Sequence, residues 1–285
     1  MKRAEGTPDV SPTQRPPVVL CIGGTDPLCG AGIVADALHV AELGGWPLAV
    51  ETASVQQDSR HVGAVAAHNA EDVAARVHLA LVDARPDAVK VGMLADPATA
   101  DTILRVLTDA GYTGPVVVDP VLASGGSSST QLAARGLAGA LLSWSSLPHV
   151  LVTPNLSEAV RLAAACARAT EWSTSDDALA DAAALEKIMG MPVLLKGGHR
   201  DPPGLDVLSN LGRCTLFHSS AAWPHDVHGT GCALATAIAT SAARGATWQD
   251  AVSAAKRWID AIAIDPARVR QVGRGRHQFV PRVWR

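Results

Sequence analysis

Aromatic residues and charge are both in short supply in this sequence. Two Phe, one Tyr and seven Trp stand among 285 residues, and only 18% of the chain is charged. So few rings argue against a base-stacking surface for single-stranded nucleic acid. A formal net charge of −3 gives no electrostatic basis for holding a polyanion or an anionic membrane. The five cysteines, at 21, 29, 166, 214 and 232, form no C-x-x-C pair and are odd in number. That argues against a disulfide framework or a structural zinc site. No apolar run reaches the ~18–20 residues that span a bilayer. The first 17 residues are polar and Pro-rich, without the apolar stretch of a signal peptide. The expectation is a soluble, cytoplasmic protein with neither nucleic-acid nor membrane partners. Two nucleotide signatures are also missing: the G-x-x-x-x-G-K-S/T pattern and a strand-linked G-x-G-x-x-G. Any phosphate handling must come from other loops.

Apolar residues, alanine above all, are what the chain has in quantity, at 48%. Alanine favours helices and argues against an all-β sandwich. The length admits one large α/β domain or two small ones. Residues 1–16 have the composition of a mobile tail and fall outside the fold. From Pro17 onward, short β-branched runs alternate with Ala-rich periodic segments. Strands are predicted at 18–24, 49–56, 87–92, 115–119, 149–153, 192–196, 205–209 and 214–218. Helices are predicted at 31–45, 70–84, 97–110, 130–143, 157–166, 176–189, 230–244 and 247–264. Such alternation, with nearly continuous apolar strands, predicts a mainly parallel sheet covered by helices on both faces, in one domain over 17–264. The stretch 265–285 carries six arginines and reads as a solvated basic tail. The SGGSSST loop at 124–130 follows a strand end, where ligands of open α/β sheets bind, and reads as a mobile flap or a surface linker.

The most informative stretch is HGTGC at 228–232, which runs straight into an Ala-rich apolar helix. A glycine turn at a helix start leaves backbone N–H groups unpaired, and these attract anions along with the helix dipole. The same field favours a thiolate at Cys232. An ordinary Gly turn before a buried helix with a core cysteine is the alternative. Five further motifs sit at strand ends. GGTDPLCGAG (23–32) joins the first strand to the first helix, with Asp36 one turn inside that helix; its glycines admit a ligand to the backbone, or simply make a tight turn. VQQDS (55–59) offers amides that can read a heterocycle through paired donor and acceptor groups, or face water. VVVDPV (116–121) ends a hydrophobic strand in Asp119, suited to Mg²⁺ or to capping a turn. TPNLSE (153–158) sets Asn155 and Glu158 three apart at a helix start, as a capping box or near a metal. LLKGGH (194–199) delivers Lys196 from a buried strand onto a glycine turn, where it suits nucleotide phosphates or snorkels to the surface.

In order and spacing, these motifs together with VGML (91–94) resemble the ribokinase superfamily. More closely, the chain resembles the hydroxymethylpyrimidine/phosphomethylpyrimidine kinases of thiamine biosynthesis, over about residues 18–264. The Cys that ends HGTGC marks this branch, where sugar kinases of the superfamily usually have Asp. The resemblance implies a three-layer α/β/α fold and Mg²⁺-dependent transfer of the γ-phosphate of ATP to a pyrimidine hydroxymethyl group. It implies that Cys232 is the catalytic base and that Gly229, Thr230 and Gly231 form the anion hole. Lys196, Asn155 and Lys256 take nucleotide-binding positions, and Asp119 and Glu158 match the Mg²⁺ pair. Gly24, Asp36, Gln57, Met93 and Val121 match the pyrimidine pocket. A free thiol with pKa ~8.5 is mostly protonated at neutral pH, so the helix terminus is expected to lower that of Cys232. A related pyridoxal kinase and a catalytically silent pyrimidine sensor are the alternatives, and a homodimer is expected because related kinases commonly pair. Two departures stand out. Leu28-Cys29-Gly30 replaces the usual Ser-Gly-Gly, and the 124–130 loop lacks a Lys-Ser-Gly-Asp character.

Overall fold

The computed structural model describes residues 15–122, 134–166, 175, 177–197, 204–220 and 227–282. β1 (Val18–Thr25) leads through a tight turn to α1 (Gly32–Glu42). β2 (Trp46–Gln57) and β3 (Val62–Ala67) form a hairpin, followed by α2 (Ala70–Asp83). Then come β4 (Ala88–Val91), α3 (Pro97–Asp109), β5 (Val116–Val118) and α4 (Leu137–Leu142). β6 (Val150–Val152), α5 (Leu156–Ala165), α6 (Ala178–Met189) and β7 (Val193–Leu195) continue the chain. A second hairpin, β8 (Leu205–Asn210) and β9 (Arg213–His218), precedes β10 (Val227–His228). α7 (Thr230–Ala242), α8 (Trp248–Ala263), β11 (Val269–Gln271) and β12 (His277–Phe279) complete the described elements. Every strand expected from the sequence is present. The helix expected at 130–143 is seen as α4, and the flap reading of 124–130 lies outside the described residues.

Nine strands form one sheet in the order β3-β2-β1-β4-β5-β6-β7-β8-β9. The pairs from β2 through β7 are parallel, and β3, β8 and β9 add antiparallel edges. Strand alternation divides the core in two. Leu20, Ile22, Val89, Val91, Val116 and Val118 face α2 to α6, while Val19, Cys21, Val117 and Leu151 face α1, α7 and α8. This is the expected three-layer α/β/α arrangement. Crossover helices make the centre parallel, whereas hairpins make the edges antiparallel. At the β8–β9 hairpin both central residues, Leu211 and Gly212, have positive φ (53° and 72°), a primed turn that matches strand twist. Among the described residues no helix is long and apolar enough to cross a membrane.

The C-terminal stretch is not a solvated tail. β11 and β12 pair antiparallel, and β12 pairs parallel with β10 as Val227↔His277 and His228↔Gln278. Gln278, Phe279 and Arg268 are buried. Arg268 reaches the Glu42 carboxylate and the Val280 carbonyl, and thereby ties the segment to α1. Arg268 and Arg282 are thus engaged in ion pairs with Glu42 and Asp265.

Candidate active site

The candidate groups gather where the parallel strands end and α7 begins. α7 has no side-chain cap, and its N-cap, Gly229, lies in the left-handed region at φ 86°. A Cβ at Gly229 would stand 1.9 Å from the Gly30 carbonyl oxygen, so only glycine allows this turn to approach the first strand–helix turn so closely. The first N–H groups of a helix have no partner inside it, and here they lie beside a cation. A Cβ on Gly231 would stand 3.1 Å from Lys196 Nζ.

Lys196 follows β7, where its backbone continues the sheet through a bridge to Asn155 and an N–H bond to the Pro154 carbonyl at 2.8 Å. Its ammonium donates to Asp119 Oδ1 at 2.8 Å, and Thr153 Oγ1 stands 3.3 Å from the same oxygen. The Cys232 thiol lies close enough to the Asp119 carboxylate to favour its ionised form. Burial opposes ionisation of Asp119, but the Lys196 and Lys90 ammoniums and these bonds outweigh it and hold the carboxyl below its usual pKa. Lys196 is likewise resisted by burial and kept charged by Asp119 and Glu158. Asn155 and Glu158 form a complete capping box on α5: Asn155 Oδ1 accepts the Glu158 N–H at 2.9 Å and Glu158 Oε2 accepts the Asn155 N–H at 2.8 Å. Burial nevertheless pushes the Glu158 carboxyl up to about 7, with Lys196 opposing and the Asp119 charge reinforcing.

One sequence expectation is corrected here, and two further residues are found with partners the sequence did not disclose. Burial pushes the Cys232 thiol up to about 12, with Lys90 and Lys196 opposing and Asp119 and Asp36 reinforcing. The helix terminus therefore does not yield a ready thiolate, because desolvation of the anion outweighs it. Asp36, assigned to the pyrimidine pocket from the sequence, has its carboxylate engaged within the protein. It is buried against Lys90 Nζ at 2.6 Å and Thr236 Oγ1 at 2.8 Å, on the α1/α7 side of the sheet. Lys256, assigned near the nucleotide, is likewise engaged within the protein. Its three hydrogens meet Asp206 Oδ2 and Ser219 Oγ, both at 2.8 Å, and the Gly204 carbonyl at 3.2 Å. Because Asp206 Oδ1 accepts the Gly197 N–H at 2.9 Å, Lys256 braces the turn after Lys196 from behind.

At the other end of the site, Gly24, Met93 and Val121 do come together. Met93 belongs to a small apolar cluster with Ala53 and Val55, against which Val121 packs, and a Cβ on Gly24 would stand 3.3 Å from the Met93 sulfur. Gln57 ends β2 nearby, its amide bonded to Asp26. Gly30 and Ala31 give their N–H groups to Asp26 Oδ2 at 3.2 and 3.0 Å. Cys29, where the resemblance has glycine, adopts φ 56°, a backbone conformation that costs other residues about 1 kcal/mol.

Sequence reasoning assigned no role to Lys90, Asp26 or Gln278. Lys90 had a legible signal: a lysine inside the apolar strand AVKV demands a buried carboxylate. Gln278 had none, because its segment reads as a charge run.

Known proteins place this arrangement. A family profile for phosphomethylpyrimidine kinase matches residues 26–278. The chain is 35% identical over 260 residues to the hydroxymethylpyrimidine/phosphomethylpyrimidine kinase of Salmonella typhimurium, a match covering 90% of this chain and 94% of that protein. It is 33% identical over 261 residues to a thiamine biosynthesis multifunctional protein of Corynebacterium efficiens; the match covers 91% of this chain but spans about a third of that protein's length (34%). The crystal structure of phosphomethylpyrimidine kinase from Clostridium difficile superimposes with a TM-score of 0.71 at 26% identity, covering 86% of this chain and 98% of that one. On profile, identity and coverage together, the chain belongs to the phosphomethylpyrimidine kinase family.

Proposed function

We propose that this chain transfers the γ-phosphate of ATP to the hydroxymethyl group of an aminopyrimidine alcohol, and a second phosphate to the resulting monophosphate, in thiamine biosynthesis. The observation that carries the reading is the meeting of Cys232, Asp119 and Lys196 at the uncapped start of α7. Phosphoryl transfer needs positioning and charge stabilisation more than covalent help. The backbone N–H groups of Thr230 and Gly231 and the Lys196 ammonium face the transferring group and balance its charge. Cys232 is the base this reading assigns to the substrate hydroxyl; because burial keeps its thiol protonated, it acts once that proton has left to solvent, while Asp119 stays ionised beside Lys196.

Mg²⁺ fits the same site. Among the described residues no three His, Cys, Asp or Glu side chains gather into a metal cage, and Mg²⁺ needs none, since it keeps several waters and is held by one or two carboxylates plus substrate phosphates. Asp119 and Glu158, both buried and both facing the Lys196 charge, would hold it. Bound there, it supplies charge neutralisation between phosphate oxygens. A homodimer belongs to the same reading, because β3 is an edge strand whose Gly63, Ala64, Ala66 and Ala67 are exposed and small enough for a second copy to cover.

The test is ADP release from the purified chain with hydroxymethylpyrimidine, its monophosphate and pyridoxal, with and without Mg²⁺. Turnover of both pyrimidines, dependent on Mg²⁺ and faster than that of pyridoxal, is expected. Preference for pyridoxal overturns the substrate; binding without turnover of any alcohol overturns the enzyme.

A further inference from the structure

Asp26 lies in the turn between β1 and α1 and is 3% exposed. Its carboxylate is met by donors from three separate stretches of chain. The turn itself supplies the N–H groups of Leu28, to Oδ1 at 2.9 Å, and of Gly30 and Ala31, to Oδ2. β10 supplies His228 Nε2, 3.2 Å from Oδ2. β2 supplies the Gln57 amide. Burial opposes ionisation of Asp26, yet the His228, Gln57 and Leu28 bonds outweigh it and hold the carboxyl below its usual pKa.

An ionised carboxylate accepts hydrogens and never donates one. Every group that faces Asp26 must therefore present a hydrogen, and this removes a choice from two side chains. Gln57, at the end of β2, acts on this carboxyl through its side chain and so turns its amide nitrogen toward Asp26, leaving the carbonyl oxygen facing away. His228 must carry its proton on Nε2. Its ring is then anchored one residue before Gly229, whose backbone already packs on the Gly30 carbonyl. From beneath, the Gln278 side chain occupies the space where a Cβ on Gly30 would stand, at 2.8 Å, so the turn cannot recede.

We propose that Asp26 is a positioning residue for phosphoryl transfer: it fixes which end of the Gln57 amide meets the alcohol and, through His228, where the Gly229–Gly231 cradle stands. The proposal rests on the kinase reading above, which supplies the two ends being aligned.

Asp26→Asn keeps the shape but turns one accepting end into a donor. With the alcohol that the wild type accepts, Gln57→Met is expected to raise KM at least tenfold with little change in kcat. His228→Phe, which keeps a ring but loses the donor, is expected to lower kcat at least tenfold. Asp26→Asn is expected to do both, and adding either partner mutation to it should cause little further loss, since coupled residues are not additive. Full additivity, or a loss of thermal stability with kinetic constants intact, overturns the proposal. If Asp26→Asn does not fold, His228→Phe decides, because an unchanged kcat there removes the link to the cradle. The ¹⁵N signals of the His228 ring separate this proposal from the kinase reading. A hydrogen-bonded Nε2–H in the wild type supports the anchoring, and its absence overturns it whatever the turnover. No turnover by the wild type, with that signature intact, sinks the kinase reading and the role in transfer with it.

Discussion

Two lysine–aspartate pairs act on Cys232, and they differ in depth: burial pushes the Asp36 carboxyl up despite Lys90, whereas Lys196 and Lys90 hold that of Asp119 down. Lys90 and Asp36 meet at 2.6 Å with both side chains 1% exposed. Lys196 and Asp119 meet at 2.8 Å, with Lys196 13% exposed and Asp119 3%. The first pair spans the middle of β4 and the body of α1, where no ligand can reach it. The second joins the ends of β5 and β7, where on the proposed reading the ammonium exchanges its carboxylate for an incoming phosphate. Attraction between the partners is similar, but the cost of parting them is not. A sealed pair is held by the penalty of leaving either charge alone in the core. An open pair holds a cation in readiness. The position of a residue along its strand thus separates a scaffold charge from a working one.

The comparison is broken most severely by Lys90→Met. Asp36 would be left buried without a counter-charge, and stability is expected to fall by about 3–5 kcal/mol. Urea unfolding reads this directly; a loss below about 1 kcal/mol means that Asp36 takes up a proton or solvent reaches it. Lys196→Met should show the opposite profile. Its kcat is expected to fall ~10²–10³-fold, as when one preorganised donor is removed from a transition state. Its stability should change less than that of Lys90→Met, because Asp119 keeps Thr153 and the Cys232 thiol beside it. Equal destabilisation by the two variants would erase the distinction.

A smaller effect sharpens the sealed side. His39 is buried between Trp258 and Phe279, with ring centroids 5.4 and 5.5 Å away. Neither ring nitrogen has a hydrogen-bond partner among the described residues. Burial, reinforced by the Lys90 and Arg268 charges, lowers its pKa from 6.5 to about 3. The unfolded chain therefore binds the extra proton between those values, and the His39 contribution to stability, present above pH 6.5, is lost as the pH falls toward 3. Each pH unit in that window costs at most ~1.4 kcal/mol. Unfolding free energies at pH 6.5 and pH 5 should differ by about 1–2 kcal/mol less in His39→Leu than in the wild type. An unchanged acid slope would show that His39 reaches solvent.

The same contrast explains what the sequence disclosed. Asp119 and Lys196 were legible because each is a charge that ends an apolar run, and strand ends are where α/β sheets bind ligands. The partner of Asp36 was not legible because one turn into a helix fixes only its face; that partner arrives from a strand 54 residues away. β3 went unseen because Val-Gly-Ala-Val-Ala-Ala has little bulk to alternate. The C-terminal strands were hidden by arginines, some of which point outward while Gln278 and Phe279 point in. For Cys232, a local argument from the helix terminus was overruled by burial, which only the tertiary structure supplies.

The pairing of β10 with β12 sets an order of events in synthesis. β10 and the glycines after it leave the ribosome while α8, β11 and β12 are still to come. Until β12 arrives, β10 has no strand beside it, and the space under Gly30 lacks the Gln278 side chain. The turn at Gly229–Gly231 is therefore completed by a strand made after it, whereas the nine strands of the central sheet all precede it in the chain.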